Sequence, residues 1–276
     1  MAKKTRGKGA QAADDPLHRM AAETPQAIRA PAKRWAMLEP VRFAWELGGL
    51  ALSSPLLATA PRGDGHPVLV LPGFAANDCG TLLLRQYLTL IGYKVFPWNL
   101  GWNLDQHSAG KHGEFVARRI EEIAGKAGRK VSLVGWSLGG VIAREAARRD
   151  PSRLRQVITL GSPFAGNPKA TSLPVLYEVI TGNRMASPEN LRRYAEGHRP
   201  LSVPSSALFS KSDGAVAWQN CVSETDGITE NIEVVSSHSG FAANPAVFYA
   251  VADRLAQHEG QWRKFTATGP YAAFFR

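Results

Sequence analysis

The sequence VSLVGWSLGGVIAR at residues 131–144 constrains the fold more than any other part of the chain. An apolar run leads into the pentapeptide GWSLG, a G-x-S-x-G pattern, and a helix-like segment follows it. Such a strand–turn–helix unit holds its serine on a strained turn. Gly135 and Gly139 have no Cβ, so the strand and the helix can approach each other closely. The motif therefore predicts an α/β fold that lifts the Ser137 hydroxyl clear of the sheet edge.

Strand-like and helix-like segments alternate along most of the chain. Strands are predicted at 67–71, 94–97, 131–136, 156–160, 206–210 and 231–235, and helices at about 79–91, 112–127, 138–149 and 244–257. This alternation is typical of a mostly parallel central sheet with helices on both faces.

A nucleophilic serine requires a general base and an acid that orients the base, and this chain offers both in order. Asp213 follows one predicted strand, and His238 follows the next. Both therefore lie at the carboxyl ends of strands, where open parallel sheets bind ligands. Taken alone, Asp213 also suits an ordinary Ser-Asp-Gly turn, and His238 also suits a loop histidine. Their joint placement after Ser137 favours a triad of Ser137, His238 and Asp213.

An acyl-transfer site also requires donors for the developing oxyanion. One candidate is the backbone N–H of Leu138, directly after the serine, and the second is expected in the loop after an earlier strand. Phe74 is the natural second donor, because Gly73 allows the backbone to turn that N–H inward. The alternative is a plain Pro-Gly turn that ends the strand.

A long irregular insertion at 164–204 separates two predicted strands. Connections of this length are usually functional or carry their own helices, and short helices fit near 173–181 and 188–196. The insertion is expected to lie over the carboxyl ends of the strands as a helical lid. We expect substrate contacts from Trp136, Trp102, Leu176 and Val179, although core packing is an equally good interpretation for the apolar residues of the insertion.

The net charge of +10 is concentrated near the amino terminus. Residues 1–34 hold eight Lys and Arg residues against three Asp and Glu residues, and they show no hydrophobic periodicity. This composition predicts a basic, disordered tail that is either a solvated arm or a surface-binding one. Because no nucleic-acid motif or interleaved aromatic pattern accompanies the charge, no nucleic-acid partner is expected.

Residues 35–64 form an apolar leader segment that is expected to pack on the core as a helix. Its stretch 47–61 is apolar and uncharged, but it falls short of the length of a membrane-spanning helix. The alternative for this stretch is a hydrophobic surface near the site that contacts apolar substrate or a lipid surface as a peripheral element.

The cysteines, the potential metal ligands and the amino-terminal residues bear on disulfides, cofactors and location. Cys79 and Cys221 do not form a disulfide framework, and the sequence leaves open whether they pair. No His/Cys ligand spacing is present, so no metal or cofactor is expected. The basic start is followed by apolar residues only after position 40, so no signal peptide and a cytoplasmic location are expected. The oligomeric state is open.

Several motifs resemble those of the α/β-hydrolase superfamily, and within it the bacterial lipase and esterase branch. They are LPGF at 71–74, GWSLGG at 135–140, LGSPF at 160–164, and the SDGAV and SHSGF loops. The resemblance covers roughly residues 65–260 and implies a catalytic domain at 65–276 with the α/β-hydrolase fold. It implies Ser137 as nucleophile, Asp213 as acid and His238 as base. Lipases of this branch often carry histidine where this chain has Leu138.

Three functions are consistent with this pattern. The first is a serine hydrolase that cleaves carboxylic esters with apolar acyl groups, small molecules or lipids, through an acyl-enzyme. The second is an acyltransferase or thioesterase that uses the same triad. The third is a non-catalytic interaction protein, which the intact triad and oxyanion positions disfavour.

Overall fold

The computed structural model describes residues 28–172 and 188–275. Most of the predicted basic tail lies outside these residues. So does the part of the insertion that contains the helix predicted near 173–181, with Leu176 and Val179.

The described residues contain one six-stranded sheet in which all neighbouring strands run parallel. The strand order is β2-β1-β3-β4-β5-β6. The strands are β1 (Pro67–Leu71), β2 (Lys94–Pro97), β3 (Val131–Trp136), β4 (Leu154–Leu160), β5 (Ser205–Phe209) and β6 (Thr229–Glu233). The predicted parallel sheet is confirmed, and each strand begins and ends within two residues of its predicted bounds.

Helices cover both faces of this sheet, as predicted. The α-helices of the described residues are α1 (Lys33–Leu52), α2 (Ser54–Leu57), α3 (Leu82–Leu90), α4 (Glu114–Ala127), α5 (Leu138–Arg149), α6 (Pro188–Gly197) and α7 (Pro245–Leu255). Alternate residues of β1 point to opposite faces. Val68 and Val70 join the core beneath α3 and α7, whereas Leu69 and Leu71 join the core beneath α4 and α5.

The junction of β3 and α5 depends on glycine at positions 135 and 139. A Cβ built on Gly139 would lie 2.4 Å from the carbonyl oxygen of Leu71, and one built on Gly135 would lie 2.4 Å from Cα of Gly140. Real Cβ atoms are not found at such distances, so the helix can cross the strand ends only where these side chains are absent. This close approach places Ser137 at the centre of the sheet edge.

The leader segment differs in its bounds from the stretch that the sequence singled out. Helix α1 begins at Lys33 and ends at Leu52, and the short helix α2 follows with Pro55 in its first turn. Pro55 is accommodated there because the first turn of a helix has no hydrogen-bond partner for the N–H that proline lacks. No residue of α1 is fully buried, whereas Leu57 of α2 is 3% exposed and belongs to the core.

Among the described residues, no helix has the length and apolar content that crossing a membrane requires.

Candidate active site

Four loops meet at the carboxyl edge of the sheet. Ser137 directly follows β3, and the loop with Phe74 follows β1. Asp213 lies in the loop after β5, and His238 lies in the loop after β6. Because parallel strands end at the same edge, these loops lie side by side although they are far apart in the sequence.

Ser137, His238 and Asp213 form a chain of hydrogen bonds. The Nε2 atom of His238 lies 3.0 Å from Oγ of Ser137, and its Nδ1 atom lies 2.7 Å from Oδ2 of Asp213. The three residues are buried, with exposed fractions of 7%, 9% and 3%. In this arrangement the imidazole can accept the serine proton through Nε2 while the carboxylate accepts a hydrogen bond from the Nδ1–H group.

The Asp213 carboxylate is held by its own turn. Oδ1 accepts the backbone N–H groups of Ala215 at 2.8 Å and Val216 at 2.9 Å, so that Oδ2 is directed at His238. The two interpretations of this residue are therefore compatible. The same side chain caps a turn and faces the imidazole.

Ser137 has a backbone conformation that L-residues rarely adopt, with φ of 52° and ψ of −121°. Its N–H donates to the carbonyl of Leu160 at 2.9 Å, and its own carbonyl accepts the N–H of Gly140 at 3.0 Å. The strand on one side and helix α5 on the other hold this turn in place. Such strain at a buried polar residue is typical of a functional position.

A cavity of about 240 Å³ opens in front of Ser137. Its lining is mostly apolar and includes Trp136, Val141, Pro163, Ala170 and Val216 besides Ser137 and His238. Trp136, one of the predicted substrate contacts, is among the lining residues. Trp102 is 59% exposed and does not line this cavity, and the positions predicted for Leu176 and Val179 lie outside the described residues.

The predicted oxyanion donors lie at the same cavity. Phe74 and Leu138 both line it, on either side of Ser137. A Cβ built on Gly73 would lie 3.2 Å from Cβ of Ser137, so the Phe74 loop passes close to the serine. Asn103 fixes this loop, because its Nδ2 donates to the carbonyl of Pro72 at 2.8 Å. The sequence did not single out Asn103.

Helix α1 supplies a carboxylate that connects the loop of Asp213 to the loop of His238. Oε1 of Glu39 accepts the backbone N–H groups of Gly214 and His238, both at 2.9 Å, and Oε2 accepts the N–H of Ser239 at 3.2 Å. One side chain outside the α/β core thus bridges the two loops that carry the triad partners of Ser137.

Two further side chains of α1 extend this bridge, and with Glu39 they form what we call the α1 clamp. Arg42 donates to the carbonyl of Ser212 at 2.5 Å and to its Oγ at 2.9 Å. Glu46 accepts the N–H of Ser237 at 2.7 Å. The sequence did not single out this clamp. The available signal was the spacing of Glu39, Arg42 and Glu46, which places three charges on one helix face within an otherwise apolar segment.

The surrounding charges act on the protonation of His238. Burial disfavours the charged imidazolium, but the charge and hydrogen bond of Asp213 and the charge of Glu39 outweigh it. The pKa of His238 is therefore raised above its ordinary value of 6.5. Near neutral pH, a larger fraction of His238 is therefore protonated than of a histidine that is fully exposed to water.

The described part of the insertion borders the cavity. Arg193 and Tyr194 of α6 are among its lining residues, together with Ser137 and His238. Arg144 of α5 is buried and donates to the carbonyl groups of Gly197 and Arg199, both at 2.9 Å, which anchors the carboxyl end of α6. The expectation of a lid over this edge stays a prediction.

The described parts of the chain bear on the expectations about cysteine pairing and metal binding. Cys79 and Cys221 are both free thiols, and burial raises the pKa of Cys221 well above its ordinary value. Within residues 28–172 and 188–275 no group of three or more His, Cys, Asp or Glu side chains could hold a metal ion.

Comparisons with known proteins agree with this architecture. No family model matches the chain. The pimeloyl-[acyl-carrier protein] methyl ester esterase of Shewanella sp. (strain MR-7) is 33% identical over 109 residues, which is 39% of each chain. The triacylglycerol lipase of Burkholderia plantarii is 27% identical over 148 residues, which is 51% of this chain and 41% of the lipase. The chain thus spans about two fifths of the length of these curated relatives.

A solved structure extends the likeness to most of the fold. Lipase B of Aspergillus fumigatus superposes with a TM-score of 0.55 at 20% sequence identity, and the match covers 74% of this chain and 56% of the lipase. The fold, the strained serine turn and the curated relatives agree with one another. This chain has the α/β-hydrolase fold.

Proposed function

We propose that this chain hydrolyses carboxylic esters with apolar acyl groups, with Ser137 as nucleophile, His238 as general base and Asp213 as the orienting acid. The observation that carries the proposal is the hydrogen-bonded chain of these three side chains, of which Ser137 and His238 line an apolar cavity. The named activities of the curated relatives, a methyl ester esterase and a triacylglycerol lipase, support ester hydrolysis as the reaction class.

Acylation would begin when Nε2 of His238 accepts the proton of the Ser137 hydroxyl as Oγ attacks the ester carbonyl carbon. The carbonyl oxygen becomes an oxyanion, to which the backbone N–H groups of Phe74 and Leu138 would donate. The tetrahedral intermediate then collapses, and the leaving alcohol takes the proton from His238. Each oxyanion donor in a dry site is worth about 3 kcal/mol of transition-state stabilisation.

Deacylation would repeat the same steps with water in place of serine. His238 accepts a proton from the water, the hydroxide attacks the acyl-enzyme, and Ser137 recovers its proton as the acid leaves. Asp213, held by its two backbone donors, would accept a hydrogen bond from Nδ1 of His238 throughout and keep the imidazole in its productive orientation.

The cavity lining supports an apolar acyl group. Apolar side chains from α5, from residues 163–170 and from the loop of Asp213 line the cavity next to Ser137, so the transfer of a hydrocarbon chain from water into it would be favourable. The acyltransferase or thioesterase alternative uses the same lining and differs in which acceptor reaches the acyl-enzyme.

Hydrolysis of p-nitrophenyl esters from two to twelve acyl carbons tests the proposal. The parent protein is expected to show activity that the Ser137→Ala variant lowers at least about 10³-fold, because the nucleophile is removed. Ser152→Ala, which changes an exposed serine far from the cavity, is the matched control and should keep the parent rate. Hydrolysis of no ester, or equal rates in parent and Ser137→Ala, would reject the proposal. Acylation without turnover would point to a transferase instead.

The raised pKa of His238 predicts the acidic limb of the pH profile. Only the neutral imidazole can accept the serine proton, so kcat/KM should fall as pH drops through the pKa of His238, with a midpoint above 6.5. Glu39→Gln removes one of the charges that raise this pKa, so the midpoint should move to lower pH.

The matched control for this shift is Glu121→Gln, which removes the same charge from a surface pair with Arg153. It should leave the midpoint in place. An unchanged midpoint in Glu39→Gln, or a shift to higher pH, would show that Glu39 does not act on the imidazole.

A further inference from the structure

Helix α1 carries an apolar outer face that is open to solvent. Met37, Val41, Trp45 and Leu52 are 80%, 68%, 83% and 86% exposed. Leu38, at 44%, lies on the same side, because positions spaced by three and four residues share one side of a helix. We call these five residues the outer stripe.

The charged residues of α1 beyond Arg34 point the other way. Between Arg34 and Arg62 the sequence contains three charged residues, and all three belong to the α1 clamp. Glu39, Arg42 and Glu46 bond to the loops of the site. This helix is therefore inverted relative to an ordinary surface helix, which buries its apolar side and exposes its charges. The clamp fixes that inversion, since turning the stripe inward would leave three charges without their partners.

An apolar face of this size on a helix of 20 residues, about 30 Å long, is typical of an interaction surface. From these residues we propose that the outer stripe of α1 docks on the surface of a lipid membrane that carries anionic headgroups. The helix would lie in the plane of the interface with the stripe among the acyl chains, and the clamp would keep the hydrolase domain on the water side.

The charge distribution favours an anionic lipid surface over a second copy of this chain. Arg34 lies on the same side of α1 as the stripe, Lys33 precedes it, and both are exposed. Residues 3–8 add four cations without an acid. With a net charge of +10, two copies repel each other, whereas an anionic surface attracts each of them. Trp45 at the centre of the stripe is the residue type that concentrates at lipid–water interfaces.

Docking would hold the triad close to the lipid. Glu39 lies on the inner side of the helix that carries Val41 and Trp45, and it bonds directly to the backbone of His238. The interface and the imidazole are thus separated by the thickness of one helix. Binding to lipid itself does not depend on the proposed reaction.

Flotation of the full chain with vesicles tests the proposal. The parent is expected to bind vesicles of phosphatidylglycerol and phosphatidylcholine, more weakly in high salt, and to bind pure phosphatidylcholine less. The double variant Val41→Gln with Trp45→Gln should lower the bound fraction at least about 10-fold, because it removes two large apolar side chains from the interface. Leu90→Gln, which changes a residue 75% exposed on α3, is the matched control and should bind like the parent.

Three outcomes would overturn the proposal. The first is that the parent binds neither vesicle, or that the double variant binds as well as the parent. The second is a dimer in sedimentation that the double variant dissociates, which would assign the stripe to a second copy. The third is shielding of Trp45 from acrylamide without lipid, measured against Trp45→Phe, which would assign it to another segment of this chain. Hydrolysis of a water-soluble ester, unchanged in the double variant, shows that the fold is intact.

Discussion

Replacement of Asp213 with asparagine is expected to lower kcat by about 10⁴-fold without unfolding the protein. The reason lies in the two backbone N–H groups of Ala215 and Val216, which select an oxygen at the Oδ1 position. The amide nitrogen must then occupy the Oδ2 position and donate to Nδ1 of His238. The imidazole is forced into the tautomer with its proton on Nε2, and that atom can no longer accept the serine proton.

Steady-state hydrolysis of the best p-nitrophenyl ester measures this loss, and a urea unfolding curve measures the fold. Asp226→Asn is the matched control, because Asp226 also accepts a backbone N–H in a turn but lies in an exposed loop. It should keep the parent rate. A loss smaller than about 10-fold in Asp213→Asn would mean that Asp213 does not set the tautomer of His238.

Gly139→Ala is expected to lower both stability and activity. The new Cβ would lie 2.4 Å from the carbonyl oxygen of Leu71 and 2.6 Å from that of Pro72, and both are backbone atoms that cannot rotate away. Helix α5 must move off the strand ends, which costs about 3 kcal/mol of unfolding free energy. The movement carries the Leu138 N–H out of line with the oxyanion, so kcat should fall about 100-fold.

Gly125→Ala is the matched control for this substitution. Gly125 lies in helix α4 with no atom within 4 Å of a built Cβ, so alanine should stabilise the protein by up to about 1 kcal/mol and leave kcat unchanged. Equal urea midpoints for Gly139→Ala and the parent would show that the packing of α5 on β1 and β3 tolerates a side chain there.

Local sequence patterns were sufficient for the sheet and for the serine turn. The strands were predictable because their apolar runs and the glycines around Ser137 reflect contacts with near neighbours in the chain. The placement of Asp213 and His238 was predictable because parallel strands deliver their carboxyl ends to one edge, so the order of the elements determines which loops meet.

The α1 clamp could not be predicted in the same way. Glu39 bonds to residues 175 to 200 positions further along the chain, and no local pattern specifies which loop a helix charge contacts. The sequence showed an apolar segment, which suggested ordinary packing on the core. The structure places the three clamp charges inward and the outer stripe outward, because the loops of the site present backbone N–H groups that the carboxylates of Glu39 and Glu46 accept.

Substrate contacts were the least predictable part of the site. Trp136 was placed by its position next to Ser137, whereas Trp102 was assigned from a loop whose path is set by distant contacts. In the structure Asn103 pairs with Ala76, and the neighbouring Trp102 remains exposed. Aromatic residues in long loops carry no periodicity that would indicate which wall of a cavity they form.

Labelling with a fluorophosphonate, read by intact mass and peptide mapping, tests whether Ser137 is an activated nucleophile. The predicted result is one phosphonyl group per chain, carried by Ser137 and lost in both Ser137→Ala and heat-unfolded protein, since activation requires the folded arrangement with His238. No labelling of the folded parent, or labelling of another residue that persists in Ser137→Ala, would contradict a serine hydrolase built on Ser137.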